Sequence, residues 1–305
     1  MPLTASQVLL TGWNAQPSVI LGLLALSGAY LYGVGPLRRQ HDWAPAPSRV
    51  RVAAFFGGIA VAAVALLSPL DTVGDTYLFS AHMVQHMLLT MVVPPLLLLG
   101  TPGWLLRPLL RRPAVARVAR GLTWPVVAFA LFNGDFWLWH APALYNLTLE
   151  NEWLHALEHL TFIATAVLNW FPILSPVPDE LPRLPLLNQV LYLFLDCQPM
   201  VLLGAGFTFA PQPLYAPYTH APRIFGMSAA TDQQLGGLIM WIPGNFIYII
   251  AMSIVFFHWI DRQGAETERA EREAWEREEL ERASAEAPLA DAPPATERIA
   301  TGESR

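Results

Sequence analysis

The chain of 305 residues is 54% hydrophobic and only 14% charged, which leaves too little polar surface for a water-soluble body of this size and makes the bilayer the solvent to reason with. Its single cysteine, Cys197, excludes an internal disulfide and a paired-cysteine redox motif. The net charge of −6 belongs to the tail: residues 1–260 hold eleven Arg and eleven Asp or Glu, and residues 261–305 hold seven Arg and thirteen Asp or Glu, so no basic excess points to nucleic acid.

The opening residues lack a basic stretch and a small-residue cleavage site, so the first apolar run is expected to act as an insertion signal that stays in place. Apolar runs recur at 18–35, 52–69, 79–100, 122–140, 153–172, 186–209 and 235–259. Each is near the ~20 residues a helix needs to cross. They predict an all-α, polytopic membrane protein with seven transmembrane helices. Pro94, Pro95, Pro199 and Pro243 fall inside spans, where kinks are expected because each removes a helix donor.

Arginine sets the orientation. Arg38, Arg39, Arg49 and Arg51 lie in the first connection, and Arg107, Arg111, Arg112, Arg117 and Arg120 in the third; Arg183 is in the fifth, Arg223 in the sixth, and the rest in the tail. An outside N-terminus and a cytoplasmic C-terminus put seventeen Arg inside and one outside, as the positive-inside rule favours. Trp13, Trp43, Trp104, Trp153 and Trp259 near span ends fit an aromatic belt. Two parts follow: a seven-span membrane domain over 1–260, and a charged cytoplasmic tail over 261–305 whose alternating Glu and Arg predict a solvated helix that gives way to disorder after about Ala287.

On this topology His82 and His86 sit at the outer end of span three, His140 closes span four there, and His155 and His159 open span five. Each i,i+4 pair shares one helix face, so both imidazoles can reach one ion, and imidazole suits copper, zinc, iron or nickel. Met83, Met87 and Met240 are candidate thioether ligands, which would favour copper(I). Asp75, Asp135, Glu158 and Asp232 are candidates to orient the imidazoles or to serve as extra ligands. A single HxxxH pair in a membrane helix more often serves interhelical hydrogen bonding, and a lone methionine reads first as core packing. Two pairs and a fifth histidine at one depth shift the balance toward a metal site. Asp196, mid-span, requires a partner or a proton.

Five ordered segments are also familiar: HMVQHMLLTMVVPPLLLLGTP at 82–102, Trp139–His140, HALEH at 155–159, LYAPY at 214–218 and DQQLGGLIMWIPG at 232–244. In these the chain resembles the CtaG family of bacterial cytochrome c oxidase assembly proteins, of the seven-span type rather than the unrelated single-span copper-delivery protein of the same name. The resemblance implies a multi-pass protein of the bacterial plasma membrane. It implies a non-catalytic assembly factor for a haem–copper oxidase, aiding copper delivery to the copper B centre. The partners implied are the catalytic subunit of cytochrome c oxidase and a copper donor on the periplasmic or extracellular side. A histidine cluster at the depth of copper B could pass a copper ion laterally, imidazole to imidazole.

Two other classes compete. A seven-span intramembrane zinc-dependent hydrolase would hold zinc on histidines, with Asp232 or Glu158 as base. A haem-binding electron carrier would ligate one iron from two helices, although an i,i+4 pair on one helix cannot take both axial positions.

Overall fold

The computed structural model describes residues 4–286, and within them all regular structure is helical. A capped α1 (Ala5–Thr11) precedes α2 (Pro17–His41), which opens on Pro17, where a missing N–H costs no helix bond, and loosens into a π turn around Pro36. α3 (Arg49–Leu67) starts under a Ser48 cap; Ser68 ends it and caps the short α4 (Pro69–Thr76). There follow α5 (Phe79–Gly100), α6 (Gly103–Leu110), α7 (Pro113–Leu122), α8 (Pro125–Trp139), α9 (Pro142–Glu150) and α10 (Glu152–Leu174). The last are α11 (Leu186–Phe209), α12 (Ala216–His220) and α13 (Ala229–Glu286).

Six of these, α2, α3, α5, α10, α11 and α13, are long and apolar enough to cross a membrane. Leu21, Leu24, Phe194, Leu202, Phe246 and Ile250 stand exposed on them, which suits lipid and not water. The chain is a membrane protein. The fourth expected span, 122–140, is built differently: its residues fall mostly in α8, and α7 and α8 meet at 64° across Thr123–Trp124. Pro125 is the cause, since its ring disfavours a helical Trp124, whose ψ of 128° is extended. A seventh span exists if the bent pair counts as one. α8 alone has 15 residues and reaches only ~22 Å of a ~30 Å hydrocarbon core.

α5 is central: 61% of its apolar window is buried, against 11% for α2. Pro94 cannot donate to the Thr90 carbonyl one turn back, and Trp170 Nε1 of α10 donates to it instead at 3.2 Å. α11 meets α13 through glycines; a Cβ on Gly237 would stand 2.5 Å from the Gly204 carbonyl oxygen. Asp196 of α11 is buried and fully partnered. Asn133 of α8 donates to it at 2.8 Å, the Tyr248 hydroxyl of α13 at 2.7 Å, and the Asn169 amide of α10 completes the set, so one carboxyl group joins four helices.

The chain divides at Phe256/Phe257, just before the expected boundary at 260/261. The second unit continues α13 to Glu286 with the side chains of 261–284 exposed and an i,i+4 pair between Arg282 and Glu278. The disorder expected after Ala287 lies outside the described residues.

Candidate metal centre

The helices α5 and α10 start, and α8 ends, beside the cluster. Leu78 gives α5 no side-chain cap, and Asp232 of α13 supplies one from across the bundle: its carboxylate accepts from the Phe79 amide at 2.7 Å, the Ser80 amide at 3.0 Å and the Ser80 hydroxyl at 2.6 Å. His82 and His86 therefore fall in the first turns of α5. Asn151 caps α10, accepting from the amides of Trp153 at 3.0 Å and Leu154 at 3.2 Å, which places His155, Glu158 and His159 in its first turns. α8 ends at Trp139, and the next ring, His140, donates Nδ1–H to the Phe136 carbonyl at 2.7 Å. A carbonyl only accepts, so the lone pair of His140 is on Nε2.

The two pairs face each other. One ligand atom each from His82, His155, Glu158 and His159 lies within 4.8 Å of the others. His86 Nε2 is 3.7 Å from Glu158 Oε1, and the ring centroids of His86 and His159 are 5.5 Å apart. His140 stands one ring further out, 5.7 Å from His86. Asp75 of α4 lies between the helices, 3.3 Å from His82 Nδ1 and 3.4 Å from His155 Nδ1. Burial pushes the Asp75 carboxyl up to about 6, while the adjacent His155 ring draws it down. Gly74 makes this approach fit, because a Cβ there would stand 3.0 Å from the backbone N and Cα of His82.

Most of the donor atoms accept or donate no hydrogen bond of good geometry. Both ring nitrogens of His82 and His86, Nε2 of His140, His155 and His159, and both Glu158 oxygens are buried with no hydrogen-bond partner among the described residues. Each such atom costs ~1–3 kcal/mol unless a ligand uses it. Ligands of a tetrahedral ion at ~2.1 Å stand ~3.4 Å apart, so small side-chain rotations close this set on an ion. The group fits a metal that takes imidazole and carboxylate.

The other expected participants are placed elsewhere. Asp232 is spent on the α5 cap. Asp135 accepts from Trp139 Nε1 at 2.9 Å and from the Thr165 hydroxyl at 3.1 Å, pinning α8 to α10. Met83 and Met87 pack toward Gly236 and Gly244 of α13, and Met240 toward Gly204 of α11. All three are buried in the main hydrophobic core of the bundle.

Several neighbours had no separate signal in the sequence. The Tyr145 and Tyr218 hydroxyls pair at 3.0 Å, Tyr218 donates to the Gly74 carbonyl at 2.7 Å, and Tyr215 donates to the His140 carbonyl at 2.8 Å. The Tyr145 ring lies 5.3 Å from His82 and closes that side. Asp71 of α4 accepts from Asn14 at 2.8 Å and Gln85 at 2.7 Å, locking α4 to α5. The LYAPY segment marked Tyr215 and Tyr218 without telling what they touch.

Comparison with known proteins follows the same residues. The family model described as cytochrome c oxidase caa3 assembly factor matches residues 28–262, which include every residue of the cluster. An uncharacterized protein of Mycobacterium bovis is 26% identical over 285 residues, covering 88% of this chain and 42% of that protein. An uncharacterized protein of Mycobacterium leprae is 24% identical over 265 residues, covering 82% of this chain and 40% of that protein. The chain thus spans about two-fifths of the length of the curated relatives it matches. No solved structure matches.

Proposed function

Because this chain belongs to the cytochrome c oxidase caa3 assembly factor family, we propose that it assists assembly of a haem–copper oxidase by holding copper on its way to the copper B centre. The observation that carries this reading is the convergence of His82, His155, Glu158 and His159 to within 4.8 Å, inside a membrane bundle, with His86 beside them. Copper is cargo here, taken up by imidazoles and surrendered to imidazoles of the client. No bond of a substrate need break, so the reading is non-catalytic.

The arginine split supports seven spans, the bent pair α7–α8 being one, in the plasma membrane with the N-terminus outside. The cluster then faces the outer leaflet, where a periplasmic or extracellular donor can load it and the catalytic subunit can receive from it.

The test uses the client. Cells carrying His82→Ala with His86→Ala, or His155→Ala with His159→Ala, should make and insert an oxidase that contains haem but lacks copper B. Excess copper should restore part of it. Normal copper content with both pairs removed would end the delivery reading. A second reading, an intramembrane zinc hydrolase, draws on the same three imidazoles and glutamate. Its base would be Glu158, since Asp232 is occupied as a cap. Metal analysis of the purified protein separates the two.

A further inference from the structure

We infer that a metal cation enters and leaves the cluster through the groove between α2 and α10. The inference rests on the metal-holding reading above and deepens it.

The groove, of about 490 Å³, is walled by α2 on one side and α10 on the other, with α4 at its head. Asn14, Asp71, Asp75 and Glu152 stand at that head, and His155 and His159 line the α10 wall. Gln16 and Ser18 of the α2 side also line it, and Gly22, Leu26, Leu160 and Ile163 make its further part apolar. His159 is only 6% exposed, and its buried Nε2 has no hydrogen-bond partner among the described residues.

The side of His82 and His86 is packed shut. His82 packs on Tyr145 at 5.3 Å between ring centroids, and His86 on Phe162 at 4.8 Å. The hydroxyl chain from Tyr145 through Tyr218 to the Gly74 carbonyl ties α9, α12 and α4 together above them. Burial follows this division: the His82 and His86 side chains are 0% and 2% exposed, against 13% for His155 and 27% for Asp75. An ion coming along the groove meets carboxyl groups first, then His155 and His159, then the closed pair His82 and His86. α2 is also the least buried span, so this wall is the one least held by packing.

A second cavity, of about 460 Å³, reaches the other side of Asp75 and is lined by Asn146, Glu150 and His220, but by none of the five cluster histidines. It is the competing entrance.

The experiment fills each space in the full-length purified protein. Ser18→Phe and Gly22→Phe place a ring in the groove from α2 without changing a candidate ligand; a Cβ on Gly22 meets nothing within 4 Å. Ala216→Phe fills the second cavity. Each protein is loaded with copper(II), its affinity is measured against a chelator, and the rate of release to excess chromogenic chelator is followed. Ser18→Phe and Gly22→Phe should slow release by about tenfold or more, since escape then waits on local opening of the helices. Their affinity should stay within about twofold of the parent, and Ala216→Phe should leave both quantities unchanged. Unchanged release in both groove variants, or slowing by Ala216→Phe alone, overturns the route. Lost affinity in both groove variants also overturns it, because the groove wall would then be part of the site itself. If the parent binds neither copper(II) nor zinc, the metal-holding reading itself has failed, a result distinct from a parent that binds normally and releases by another path.

Discussion

The carboxylate of Asp232 on α13 caps α5 from across the bundle, accepting from the Phe79 amide at 2.7 Å. Removing it by Asp232→Ala orphans the first amides of the helix that carries His82 and His86. The expected loss is ~1–2 kcal/mol, the usual cost of a missing cap. It should appear as a thermal midpoint in detergent lowered by a few degrees, with metal affinity weakened because the first turn frays. Asp232→Asn, which keeps one acceptor, should recover part of both. An unchanged midpoint in the alanine variant would show that the cap contributes nothing.

Residue spacing alone does not encode that relationship. The two HxxxH pairs were legible because helical periodicity alone places i and i+4 on one face, and chain order makes the spans neighbours. The facing of His86 and His159 adds long-range packing that spacing does not encode. Asp75, Asp135, Glu158 and Asp232 were indistinguishable as acidic residues near one level. Only the close approach of α4 to α5 at Gly74, and the approach of α13 to the start of α5, sorts Asp75 to the imidazoles and Asp232 to a helix end. The break at Thr123–Trp124 was hidden in the same way: an apolar run has the same hydropathy whether straight or bent, although Pro125 carried the signal.

Asp196 supplies a second test, of the fold rather than the site. Asp196→Ala leaves the Asn133 and Asn169 amides and the Tyr248 hydroxyl buried without their acceptor. Each orphan costs ~1–3 kcal/mol, so the folded yield should fall sharply. Tyr248→Phe removes a single donor and should cost only ~1 kcal/mol. If Asp196→Ala folds as well as Tyr248→Phe, the four-helix junction is not a unit.

Topology can be read directly. Reporters placed after Asn151, between α9 and α10, should be active outside, and reporters after Arg112 and Asp179 inside, as seventeen of eighteen arginines require. The bent pair is the point at risk. If α7 and α8 together do not cross, the reporters at Arg112 and Asn151 will share a side, His155 and His159 will no longer share the outer layer with His82 and His86, and the shared site fails.

The last prediction separates sulfur from nitrogen. The sequence offered Met83, Met87 and Met240 as thioether donors, yet all three pack into helix contacts around Gly236, Gly244 and Gly204. The converging atoms are imidazole nitrogens and a carboxylate oxygen. Such a set suits copper(II) or zinc, whereas thioethers would select copper(I). Met83→Leu with Met87→Leu should therefore leave copper(II) affinity unchanged within about twofold, because leucine conserves volume and removes only sulfur. His155→Ala with His159→Ala removes two of the four converging donors and should weaken binding by more than about a hundredfold, as losses of ligands commonly exceed those of their supports. Anaerobic titration with copper(I) provides the opposing measurement. If copper(I) binds more tightly than copper(II), and the methionine pair abolishes that preference, the thioethers turn toward the ion on loading. The donor set seen here would then be only part of the working site.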